Sequence, residues 1–236
     1  MPETVNLGPF LLQWKLLALF LSVLAGLAAI NWRLKGNGHK RLIIDCLTTG
    51  LMIVALLWKF GELLFDPLLL FRRPTEALYM AASTRGACIG AICAVSYALW
   101  KLKRAGVSPL VLLDALPVGI LSGVMLDCLL IWQYGRPTHV RWGIALNDPA
   151  LRYHPLNAYL FIASAAILIL LLRKKAAKKR GDDARFFFVL FGLCGLVISL
   201  FARDQASLFY LTFQQWVYAA MLGVGILLPR EKDENV

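Results

Sequence analysis

Residues 123–159 read GVMLDCLLIWQYGRPTHVRWGIALNDPALRYHPLNAY. The stretch leaves one apolar segment, crosses a short polar loop and enters a second apolar segment. Between the two it gathers Asp127, Tyr134, Arg136, His139, Arg141, Arg152, His154, Asn157 and Tyr159. Ionisable and hydrogen-bonding groups are costly in lipid, so a concentration of them at a membrane boundary is where function is expected.

The rest of the chain supports a membrane setting. At 59% hydrophobic over 236 residues, with mean hydropathy +0.67, it holds more apolar side chain than one soluble core of this length would bury. An all-α, polytopic membrane protein is expected. The five cysteines, Cys46, Cys88, Cys93, Cys128 and Cys194, lie inside apolar segments without metal-ligand spacing. They read as core filler, and neither a disulfide framework, a metal site nor a cofactor is expected. The net charge of +11 comes from basic residues clustered in the gaps between apolar spans. That pattern fits juxtamembrane anchors facing anionic lipid rather than a nucleic-acid partner. The first apolar span starts near Pro9, follows no basic residues and outruns a signal-peptide core, so no cleavable leader is expected.

Seven spans come near the ~20 residues a bilayer core requires, at 10–31, 42–64, 84–100, 109–132, 157–172, 186–202 and 207–228. Arg33, Lys35, Lys40 and Arg41 fill the first gap, Lys101, Lys103 and Arg104 the third, and Arg173, Lys174, Lys175, Lys178, Lys179 and Arg180 the fifth. The alternating gaps, around Arg72, Arg73 and Glu76, around Arg203 and Asp204, and the central loop, carry sparser or offset positive charge. The positive-inside rule then puts the N-terminus outside, the C-terminus in the cytoplasm and the loop 133–156 on the extracytoplasmic side. No repeat or linker interrupts the chain, so residues 1–236 read as a single membrane domain with a charged tail.

Several charges fall within the spans. Lys15 is in the first, Lys59 and Glu62 in the second, and Asp114 and Asp127 in the fourth. Lys59 and Glu62, three apart, share a helix face and either pair inside the bundle or line a polar cavity. Asp114 is near the start of its span and reads as interfacial, whereas Asp127 lies deeper and needs a donor or a proton. Gly86 and Gly90 have the spacing that lets two helices approach closely. Arg85 beside them either snorkels to head groups or points into a cavity with Asp127.

The strings YGRPTHVRWGIAL, from Tyr134, and RYHPLNAYL, from Arg152, resemble the prolipoprotein diacylglyceryl transferases of bacterial inner membranes, whose pattern reads YGRPTDLPWGV followed by RHPSQLYE. The resemblance runs along most of the chain. LGPFLLQWKLLALF is similar to the family's opening segment, WKFGELLFDP to GARLGYVLFYNP, STRGACIG to SFHGGLIG, and FARDQ to FREPD. The resemblance implies seven spans with the N-terminus outside and a location in the bacterial cytoplasmic membrane. It also implies transfer of the diacylglyceryl group of phosphatidylglycerol to the lipobox cysteine thiol of a lipoprotein precursor. The thiol must lose its proton and the departing phosphate must be held by cations or donors away from water.

On the same alignment the signature GRIGNFINGE falls on GVMLDCLLIW: its arginine becomes Val124, its asparagines Asp127 and Leu130, its glutamate Trp132. The histidine of HGG becomes Arg85 and the arginine of GARLGY becomes Lys59, while Arg136, Pro137, Thr138, Trp142, Arg152, His154, Pro155, Tyr159 and Arg203 are retained. The resemblance thus implies Arg85, Asp127, Arg136, His154 and Tyr159 as catalytic candidates and Lys59, Arg136, Arg152 and Arg203 as lipid-binding ones. Two readings stay open. In one, a divergent transferase uses Arg85 for the phosphate and His154 or Asp127 for the thiol. In the other, a catalytically silent relative binds phospholipid or lipoprotein signal segments. A small transporter has little support, since no inverted repeat is visible.

Overall fold

The computed structural model describes residues 4–7, 10–68, 82–146, 148, 151–174, 179–203, 211–229 and 231–232. Arg72, Arg73, Glu76, Lys175, Lys178, Asp204 and the start of the seventh predicted span lie outside the described residues, as does most of the tail. The elements are β1 (Thr4–Leu7), β2 (Phe10–Gln13), α1 (Trp14–Arg33), α2 (Lys40–Phe60) with a 3₁₀ turn (Gly61–Leu64), α3 (Thr84–Arg104), α4 (Pro109–Leu130), β3 (Tyr134–Thr138), β4 (Ile144–Ala145), β5 (Arg152–Pro155), α5 (Leu156–Arg173), β6 (Lys179–Arg180), α6 (Asp182–Ser199), α7 (Phe213–Leu227) and β7 (Glu231–Lys232).

The protein is mostly helical, and a helix lies on each of the seven apolar segments. Among the described residues, four stretches, Trp14–Arg33, Lys40–Leu64, Pro109–Leu130 and Leu156–Arg173, are long and apolar enough to cross a membrane. Their outward faces are hydrocarbon: Phe20 is 60% exposed and Ile162 65%, which a bilayer tolerates and water does not. The first span begins later than expected. Residues 10–13 pair antiparallel with β1, Thr4 opposite Gln13. The all-α expectation also omits a small sheet in the central loop.

Residues 35–112 form one compact unit and residues 1–34 with 113–236 another. In the first, α2 and α3 lie against each other along small residues. A Cβ on Gly90 would sit 3.0 Å from the Val54 Cα, and one on Gly86 would run into the Leu57 carbonyl. The expected close approach at Gly86 and Gly90 is therefore met by α2. Ser83 starts α3 by accepting from the Gly86 N–H at 3.1 Å, and its own N–H donates to the Trp58 carbonyl at 2.8 Å. Its hydroxyl donates to Glu62. Because α2 ends at Phe60, Glu62 lies in the 3₁₀ turn rather than on one continuous helix with Lys59.

The second unit has its core at Leu121, Ile167, Leu171, Phe187, Phe191 and Tyr218, with Val124 packed against it. Asp114 is not simply interfacial. Its carboxylate accepts from the backbone N–H groups of Gly181 (2.7 Å), Ala184 (2.9 Å) and Asp183 (3.1 Å). These are orphan donors at the start of α6, and an anion there also complements the helix dipole. Asp183 in turn receives Lys174 at 3.2 Å and Arg33 at 3.9 Å. One cluster of charges thus fixes the ends of α1, α5 and α6 beside α4.

Candidate functional site

The polar loop folds as a three-stranded antiparallel sheet in the order β3-β5-β4. Tyr134 pairs with Pro155 and Pro137 with Tyr153, and the register shifts in between, which leaves Gly135 and Arg136 in a bulge opposite His154. Pro137 is tolerated because β3 is an edge strand. A Cβ on Gly135 would sit 3.1 Å from the His154 Cβ and would run into the Phe201 carbonyl, so only glycine allows this approach.

Arg136 ties the bulge to the residues that follow α6. Its N–H donates to the Phe201 carbonyl at 2.8 Å and its Nε to the Ala202 carbonyl at 2.9 Å. The guanidinium is otherwise exposed, so its outer N–H groups can meet an anion. The His154 ring lies against Phe201, with centroids 4.7 Å apart, and its Nδ1 is 3.0 Å from the Tyr159 hydroxyl. Trp142 donates its indole N–H to the same hydroxyl at 2.9 Å. Arg152 donates to the Arg141 carbonyl at 2.7 Å, and the Arg203 guanidinium lies 5.2 Å from the centre of the Tyr153 ring.

Beneath the loop, the last carbonyls of α4 need donors because the helix has ended. Buried Asn157 supplies them, donating to Cys128 at 3.0 Å and to Ile131 while accepting from the Gln133 N–H. Trp14 serves the Leu130 carbonyl at 2.9 Å. Beside this cap a cavity of about 40 Å³ is lined by Asp127, Gln133, Asn157, Ser199, Gln214 and Tyr218 together with apolar groups. It holds roughly one to three waters, far too little for a phospholipid head group. The described lining contains no lysine, arginine or histidine, and the Asp127 carboxylate has no hydrogen bond or ion pair among the described residues.

Arg136, His154 and Tyr159 are thus brought together, Arg152 lies in the same sheet as Arg136 and His154, and Arg203 packs over Tyr153 of that sheet. Asp127 lies in the cavity below, which none of these five lines. Arg85 and Lys59 belong to residues 35–112. There Arg85 is exposed in the first turn of α3, and Lys59 is half-buried in the last turn of α2. Val124, where the signature has arginine, packs half-buried against the apolar core, and Trp132, where it has glutamate, stacks on Tyr134 with centroids 6.4 Å apart.

Sequence reasoning missed Asn157 as the cap of α4, Phe201 as the platform for His154, and Gln214 and Tyr218 beside Asp127. Asn157 was visible as a polar residue in the loop. Phe201 is an ordinary apolar residue at the end of a span and gives no signal of its own. Comparison with curated proteins gives no match. The family model described as prolipoprotein diacylglyceryl transferase matches residues 2–229. That match extends over nearly the entire chain, and the protein belongs to the prolipoprotein diacylglyceryl transferase family.

Proposed function

We propose that the protein binds the family's two substrates, a phosphatidylglycerol-type lipid and the lipobox segment of a lipoprotein precursor, without transferring the diacylglyceryl group between them. It does so as a single seven-span domain of the bacterial cytoplasmic membrane, N-terminus outside, with the loop 133–156 on the extracytoplasmic face. The alternation of basic gaps supports that orientation.

The transfer forms a bond from the cysteine sulfur to a glycerol carbon and breaks that carbon's bond to the phosphate oxygen. The thiol proton is lost, and glycerol phosphate leaves with the electron pair. Developing charge on the phosphate must be met by fixed cations or donors, and removing one such group typically lowers the rate ~10²–10³-fold. The observation that carries the proposal is α4: Val124 packs, half-buried, against the apolar core, and Asp127 lines a cavity with no cation among its described lining residues. A carboxylate there opposes the phosphate that the signature's arginine would attract. Arg136 and Arg152 on the loop, with Arg203 against the Tyr153 ring, remain as head-group anchors.

An active transferase is the second reading, favoured by one observation: Arg136, an exposed residue, sits in the bulge opposite His154. Purified protein in nanodiscs separates the two. Native mass spectrometry is expected to find retained phosphatidylglycerol, and incubation with a lipobox peptide is expected to yield no thioether product. Turnover would establish the second reading, and absence of bound lipid would remove the first.

A further inference from the structure

We infer that His154 is held by Tyr159 and Trp142 as a hydrogen-bond donor toward a bound anion, and that it does not act as a base. An indole N–H only donates, so at 2.9 Å the Tyr159 oxygen accepts from Trp142. The hydroxyl's single proton has one acceptor within reach among the described residues, Nδ1 of His154 at 3.0 Å. A lone pair at Nδ1 requires the remaining ring proton on Nε2. Trp142 and Tyr159 are therefore positioning residues that set the tautomer of His154.

Two features direct the Nε2–H to an anion. It has no acceptor among the described residues, and with the ring held against Phe201 it is not enclosed and stays open to a ligand. Arg152, two residues earlier in β5, leaves the strand on the same face, which makes that face positive. A phosphodiester oxygen satisfies both the donor and the charge. This identity of the anion rests on the lipid-binding reading above; the tautomer does not.

The test uses the full chain in nanodiscs. Replacing His39 and His139, the other two histidines, by glutamine leaves His154 as the single imidazole for ¹⁵N NMR under alkaline conditions. The proton is expected on Nε2, with Nδ1 shifted as a hydrogen-bonded acceptor, and Tyr159→Phe is expected to abolish that Nδ1 shift. A proton on Nδ1, or no response to Tyr159→Phe, overturns the positioning chain. With phosphatidylglycerol in place of a neutral glycolipid, the Nε2 resonance is expected to move. His154→Leu is expected to weaken lipid retention about tenfold, since hydrogen bonds to charged groups contribute that much, while His154→Gln, which keeps a donor, stays within about threefold. Lipid retained with Nε2 unmoved overturns the anion contact and leaves lipid binding intact. Lipid not retained at all removes the lipid-binding reading, and the tautomer result still decides the positioning chain.

Discussion

Replacing Asp114 by alanine removes the acceptor for three backbone N–H groups at once, those of Gly181, Asp183 and Ala184 at 2.7, 3.1 and 2.9 Å. Hydrogen bonds to a charged group contribute ~1.5–3 kcal/mol each. The three share one carboxylate and water can re-satisfy part of the helix end, so the sum is not additive, and the expected loss is about 3 kcal/mol. For a chain of this length each kcal/mol moves the midpoint by ~2–4 °C, which gives a fall of roughly 6–12 °C. Asp114→Asn keeps an acceptor for two of the donors but turns its amide N–H₂ toward the third, and it should fall between. Thermal melting of the purified protein in one detergent, followed by loss of the monodisperse chromatographic peak, measures both variants. An alanine variant within about 2 °C of the parent, or an asparagine variant below the alanine one, would refute the capping role.

Three further outcomes follow from the geometry. Gly90→Val places a side chain where a Cβ already comes within 3.0 Å of the Val54 Cα; α2 and α3 must separate, and limited proteolysis should cut within residues 35–112 faster than in the parent. Asn157→Leu leaves the Cys128 and Ile131 carbonyls and the Gln133 N–H without their partner; the loss should be ~1–3 kcal/mol, seen as a lower melting midpoint at unchanged helix content. A reporter active only in the cytoplasm should be active when fused after Lys179 and silent when inserted at Asn147, and the reverse pattern would overturn the orientation drawn from the basic gaps.

The helices were legible because each follows a predominantly apolar run bounded by basic residues or by Gly and Pro. The close approach of α2 and α3 was legible from Gly86 and Gly90, since a missing side chain is itself a sequence signal. The sheet in the loop was not, because Arg152, Tyr153 and His154 read as a cluster of polar groups and their pairing depends on a bulge opposite Gly135 and Arg136. Asp114 was visible as a charge, but its partners are backbone N–H groups on a distant segment, and backbone groups have no sequence signature. Asp127 was singled out for its depth. That it would sit apart from His154 and Tyr159, beside Gln214 and Tyr218, required the packing of α6 and α7.

The most direct test of the binding-without-transfer proposal is complementation of a cell depleted of its own diacylglyceryl transferase, read by mass spectrometry of a lipoprotein's N-terminal cysteine. The natural chain, shown by fractionation to be inserted in the membrane, is expected to leave that cysteine unmodified. The Val124→Arg, Asp127→Asn variant, which restores the signature's arginine and asparagine on α4, is expected to yield detectable thioether. A diacylglyceryl-modified cysteine made by the unaltered protein would contradict the account.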